Sequence, residues 1–147
     1  MKTDPKARYQ GYSFYFREGF CWIDVNSTYL KARIKANGVF DVLSMSLFTM
    51  THLPDWYFVS LINAEFISLY VDNFINNTSH FQINDARQLP IIIPNEDILQ
   101  KIKTIAFESI SIKQQLFLAK IEEDYANQEL LKLQNKLDVL VLSLYAI

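Results

Sequence analysis

The sequence predicts an α+β fold: a small antiparallel or mixed sheet with a packed helix, followed by a C-terminal helical segment of hairpin or coiled-coil character. Three observations carry this. Residues 1–50 read as short aromatic and alternating runs broken by turn residues. The stretch 54–74 changes to a helical period. After Pro94, isoleucines and leucines recur every three or four residues. A chain of 147 residues, 50% hydrophobic and 20% charged, makes about one domain with a real core. The change of character at Pro94 divides it into an α+β part, 1–94, and a helical part, 95–147.

Taken in order, Tyr12 to Phe16 is a short aromatic run ended by Arg17-Glu18-Gly19, and Phe20 to Val25 resumes it; both read as strand. Tyr29 to Lys35 alternates, with Leu30, Ala32 and Ile34 on one face and Lys31, Arg33 and Lys35 on the other. Asn37-Gly38 tolerates the positive φ angles of a tight hairpin, and Val39 to Val42 is the return strand. From Pro54 to Phe74 a helix is expected, opened by Pro54 and Asp55. Its apolar face is Trp56, Val59, Ile62 and Phe66, flanked by Phe58, Leu61, Leu69 and Tyr70; Asn63, Glu65 and Ser68 are its wet side. Asn76 to His80 is a polar loop, and Phe81 to Asn84 alternates again. Leu89 to Pro94, clamped by prolines, is an edge strand or an extended crossover. Asn95 then caps a helix with Glu96 and Asp97 in its first turn. Ile98, Ile102, Ile105, Ile112 and Leu116 form one stripe, and Leu130, Leu133, Leu137, Leu140 and Leu144 a second. Glu122-Glu123-Asp124 separates them, which predicts two helices or one with a bend, and a partner surface inside or outside the chain.

The residues exclude much chemistry. With glycines only at 11, 19 and 38, no phosphate-cradling loop forms. His52, His80 and Cys21 stand apart from one another, without metal-site spacing. No Gly-x-Ser-x-Gly elbow occurs. Cys21, the only cysteine, sits in a strand-like run beside Trp22 and reads as a core residue in a reducing compartment. Met1 to Gln10 is polar, so no targeting segment is expected, and no apolar run is long enough for a bilayer; a cytoplasmic chain follows.

Net charge is −2, yet the stretch up to Asp41 holds seven basic and four acidic residues, net +3, which leaves the remainder at −5. The strand alternation spaces Lys31, Arg33 and Lys35 by about 6.5–7 Å, close to successive phosphates on one nucleic-acid strand. A solvated strand face accounts for the same three cations equally well.

Four blocks of the sequence resemble a known family. Arg17-Glu18-Gly19-Phe20-Cys21-Trp22-Ile23-Asp24-Val25, then Ala32-Arg33 and Val39-Phe40-Asp41-Val42, form the first, and Leu61-Ile62-Asn63-Ala64 the second. Phe81-Gln82-Ile83-Asn84-Asp85 with Leu89-Pro90-Ile91-Ile92-Ile93-Pro94 is the third; Leu137-Asp138-Val139-Leu140-Val141 with Leu144-Tyr145 is the fourth. Together, over residues 12 to 147, they resemble the specificity region of adenine-specific DNA methyltransferases from type IIG restriction–modification and BREX-type phage-defence systems. The resemblance implies a target-recognition module for double-stranded DNA. The S-adenosylmethionine-binding methyltransferase domain or subunit, with its Asn-Pro-Pro-Tyr-type motif, would be a partner, because no Pro-Pro pair occurs in this chain. No catalytic residue, metal ligand or cofactor is then expected here.

On that reading Lys31, Arg33 and Lys35 contact phosphates, while Asn76, Asn77, Thr78, His80 and Arg87 read base edges, with Ser27 and Thr28 as outside candidates. Each has an ordinary alternative. Asn76 and Asn77 can cap a helix end, Arg87 can pair with Asp85, and Gln82 and Asn84 can bond nearby backbone. The rival function is a helical assembly module that reads no DNA, with self-association through the C-terminal helices.

Overall fold

A computed structural model describes residues 12–23, 25, 29–36 and 44–146. Its architecture is α+β, and its sheet is antiparallel with strand order β2-β1-β3: β1 is Gly19–Ile23, β2 Ala32–Lys35 and β3 Ser44–Leu47. The register puts Trp22 opposite Ala32 and Met45, and Phe20 opposite Ile34 and Leu47. These side chains share one face, and on it Phe20 stacks on Phe58 with ring centroids 5.7 Å apart. Buried Trp22 donates its indole Nε1–H to the Phe81 carbonyl at 2.9 Å. The hairpin turn Asn37-Gly38 and the strand Val39–Val42 lie outside the described residues.

Two readings of this region are corrected. The aromatic run Tyr12–Phe16 is not a strand: Tyr12–Phe14 forms a 3₁₀ turn, closed by Tyr15 N–H on the Tyr12 carbonyl and Arg17 N–H on the Phe14 carbonyl. Local turn bonds and the stacking of Phe14 on Phe48 outcompete the β-preference of the aromatics. The β2 alternation also breaks at its end, where Ile34 is 43% exposed and Lys35 is buried. The cause is Phe48. A Cβ on Gly19 would sit 2.8 Å from the Phe48 ring and 2.5 Å from the Leu47 carbonyl oxygen, so only glycine admits that ring. Lys35, paired with Gly19 across the strands, lays its stem beside the ring with Nζ 5.5 Å from the centroid.

The helix expected over 54–74 is bent by 63° into α1 (Asp55–Ile62) and α2 (Glu65–Tyr70), and α2 runs on into a π turn, Val71–Ile75. Asn63 marks the corner. It is half-buried, not on a wet side: Ala32 N–H donates to its Oδ1 at 2.6 Å, and its Nδ2 donates to the Ala32 carbonyl at 2.9 Å. Buried Ser68 likewise accepts the Leu30 N–H at 3.1 Å. Asn63 satisfies Ala32, the first residue of β2, and Ser68 satisfies Leu30 just before the strand; backbone polar groups so near a core require partners. The bend rephases the apolar face, so Tyr57, Leu61, Ile62, Ile67 and Val71 are buried while Leu69 is exposed.

After the short α3 (Ile83–Ala86), Leu89–Pro94 is an extended crossover without strand pairing among the described residues. Tyrosines clamp it from either side: the Tyr57 hydroxyl donates to the Ile92 carbonyl at 2.6 Å, and the Tyr145 hydroxyl donates to the Pro90 carbonyl. Burial pushes the Tyr57 hydroxyl up from 10.0 to about 12. Tyr145 is raised as well, by burial first and by the neighbouring Tyr57 second.

Helix α4 (Glu96–Phe117) starts as expected, with Ile98 N–H donating to the Asn95 side chain at 2.9 Å. It ends in a Schellman turn: Lys120 N–H reaches the Gln115 carbonyl, Ala119 N–H the Leu116 carbonyl, and Ala119 takes φ 52°. Helix α5 (Glu123–Tyr145) returns alongside, with Glu123 and Asp124 in its first turn, so the acidic run is a helix start. One core runs from Phe20 and Trp22 through Tyr57, Leu61 and Ile67 to Ile102, Leu133 and Val141, across both sides of Pro94. Each fully buried aliphatic side chain in it contributes roughly 1.5–3 kcal/mol. No single helix among the described residues is long and apolar enough to cross a membrane.

Candidate nucleic-acid interface

The antiparallel register decides which of the sequence-predicted residues meet. Because Trp22 lies opposite Ala32, the chain leaving β1 at Val25 and the chain entering β2 at Lys31 are at the same end of the sheet. Val25 makes an antiparallel bridge to His80, which brings the Asn76–His80 loop to that end too. Lys35 belongs to the opposite end, beside Gly19, about 13 Å along the strand from Lys31. The structure therefore places Lys31 and the polar loop at one end of the sheet, Arg33 mid-strand opposite Cys21, and Lys35 at the other end.

Within the loop the roles divide sharply. Asn76 Nδ2 donates to the His80 carbonyl at 2.7 Å and to Asp85 Oδ2 at 3.0 Å. Its Oδ1 accepts from Thr78 N–H at 2.9 Å and from the Thr78 hydroxyl at 2.7 Å. The amide is thus spent on closing the loop. Thr78 is spent the same way, since its hydroxyl oxygen also accepts from His80 N–H at 3.3 Å. Asn77 and His80 keep exposed side chains.

Arg33 is exposed, and its Nε–H points at Cys21 Sγ at 3.5 Å, which steadies the guanidinium beside the strand. Arg87 is exposed on the residue after α3 and donates from Nη1 to Asn84 Oδ1 at 3.2 Å. It does not take Asp85, whose carboxylate already receives Gln82 N–H at 2.8 Å in a capping box as well as Asn76. Ser27 and Thr28 lie outside the described residues.

One group of residues escaped the sequence reading. Asp138 Oδ1 accepts from Glu65 N–H and from Gln134 Nε2, both at 2.9 Å, and Gln134 Nε2 also donates to the Asn63 carbonyl at 3.1 Å. This chain of bonds ties α5 to the α1–α2 corner and through Asn63 to β2. It floors a cleft of about 500 Å³ rimmed by Tyr29, Lys31, Glu65, Leu131 and Asn135. The available signal was Asn63 itself, a residue that competes with helix hydrogen bonding and sits in the middle of an apolar helix. A second open groove of about 680 Å³ runs between α4 and α5, over Ile105, Leu133, Val139 and Leu140 with Lys101, Glu108 and Lys136 along its sides.

Among the described residues, no three His, Cys, Asp or Glu side chains come close enough to share a metal ion. No protein-family model matches the chain, and no curated protein matches it.

Proposed function

We propose that this chain is a sequence-specific DNA target-recognition module of a restriction–modification or phage-defence adenine methyltransferase. It would position duplex DNA for a catalytic domain or subunit that binds S-adenosylmethionine. The observation that carries this reading is the Val25–His80 bridge. It holds a polar loop, braced internally by Asn76 and Thr78, at the sheet end where Lys31 is exposed. Recognition needs such a division of labour: cations fix register on phosphates, and rigidly held amide, imidazole and guanidinium groups read base edges. Lys31 and Arg33 take the phosphate role. Asn77 suits adenine and Arg87 guanine, each through paired hydrogen bonds that discriminate by about 1–3 kcal/mol. Lys35, being buried, leaves the phosphate set, while Asn76 and Thr78 act by shaping the loop.

The test is capture of a randomised duplex pool by the purified chain at low salt, followed by sequencing of the bound fraction. Enrichment of a short motif that is lost in Asn77→Ala supports recognition, whereas absence of any duplex binding at low salt sinks it.

A second reading draws on the helical hairpin, where Phe117 is 90% and Val139 70% exposed, with Leu118, Leu131 and Leu142 also in solvent. Such side chains suit an assembly surface. If the chain self-associates or captures a partner subunit yet never binds duplex, this reading replaces the first.

A further inference from the structure

At the sheet end remote from the polar loop, residues Tyr12–Arg17 combine features that folding does not explain. Phe16 is 58% exposed, and its backbone takes φ 63°, a conformation that bulky side chains rarely adopt. A glycine would relieve the backbone and remove apolar surface from water, so the turn itself does not call for this ring. Tyr12, in the same turn, is 56% exposed. Next in sequence, the Arg17 guanidinium lies 5.0 Å from the Phe14 ring centroid and 5.6 Å from that of Phe48, two rings that stack on each other. That cation is held in place on an aromatic base, not left on a free arm.

From this geometry we infer that the turn is a stacking platform for an unpaired nucleobase of a DNA strand, with Phe16 as the stacking ring and Arg17 on the adjacent phosphate. Exposed π-faces alternating with a fixed cation are what single-stranded nucleic acid requires, because every base offers a face and every linkage a charge. Arg17 is exposed beside these rings, a cation placed where a phosphate would lie, which favours a polyanion over an apolar protein partner. The choice of ligand rests on the nucleic-acid reading above, but the site is separate: β1 sets it about 20 Å from Val25 and the polar loop.

The probe is a single-stranded pentanucleotide with a central 2-aminopurine, titrated with the full chain. Stacking quenches its fluorescence. Phe16→Gly should weaken binding about tenfold with a thermal midpoint no lower than that of the parent, since glycine relaxes the turn. Phe16→Trp should retain the quench. A Phe16→Gly chain that binds the pentamer like the parent overturns the platform, as does a parent chain that does not quench it. Duplex binding, followed in parallel by anisotropy, separates the two ideas. Duplex bound without pentamer quenching overturns the platform alone. Pentamer quenching that depends on Phe16, without duplex binding, supports the platform and overturns target recognition.

Discussion

The Asn63 side chain pairs with both backbone groups of Ala32, accepting from its N–H at 2.6 Å and donating to its carbonyl at 2.9 Å. A side-chain amide thereby imitates one rung of a neighbouring strand. Asn63, itself in helical backbone, closes α1, and the chain turns to extended backbone at Ala64 before α2 begins.

Asn63→Ala should lower stability by about 2 kcal/mol, as two half-buried backbone groups lose their partner. Asn63→Asp should recover only the accepting half. Urea midpoints of the three chains check this, and equal midpoints would mean that the amide contributes nothing net.

Ala119 at φ 52° occupies the helix-ending position that glycine fills without strain. Ala119→Gly should therefore raise stability by roughly 1 kcal/mol. The readout is again a denaturation curve; a lower midpoint would show that the turn is not the source of strain.

The tyrosine clamp fixes an alkaline limit. Tyr57 ionises at about 12 when folded against 10.0 for an ordinary tyrosine, so the native state holds its proton while the unfolded chain gives its own up. Stability should thus be level below pH 10 and fall as pH climbs from there toward 12. Tyr57→Phe should flatten that decline and, by orphaning the Ile92 carbonyl, cost about 1 kcal/mol at neutral pH. Melting temperatures measured from pH 8 to 12 in both chains test the sign; parallel curves would remove Tyr57 from the account.

For duplex binding, Lys31 and Lys35 should part company. Lys31→Ala should reduce the slope of log affinity against log salt by about 1, the loss of one phosphate contact. Lys35→Met should leave the slope alone. Anisotropy titrations over a salt series decide this, and equal effects of the two substitutions would contradict the assignment.

Asn76→Ala and Asn77→Ala should likewise differ. The first dismantles the loop and lowers both thermal stability and affinity; the second leaves stability intact and relaxes one base position by about 1–3 kcal/mol. Specificity profiles beside melting curves check both halves of the claim.

What could be read from the sequence was whatever depends on near neighbours. The strand around Trp22, the Asn95 cap and the two C-terminal helices follow from spacing and end chemistry. Long-range partners were not legible. Ser68 and Asn63 look like a wet helix side until Leu30 and Ala32 meet them, 38 and 31 residues away. Lys35 alternates correctly with Arg33, and it is Phe48, passing over Gly19, that buries it. Asn76 and Asn77 are the same residue type in adjacent positions. Only the folded positions of Thr78, His80 and Asp85 turn one inward and leave the other exposed.

The hold of Tyr145 on Pro90 also bears on the order in which the protein can be completed on the ribosome. The two residues are 55 apart in sequence, so at about 5–20 residues per second the crossover waits roughly 3–11 s for its second clasp. Asn63 follows Ala32 by 31 residues, which puts the partner of the first β2 residue within roughly 2–6 s of the strand's own appearance. The nascent chain can cover the start of β2 before it fastens its crossover.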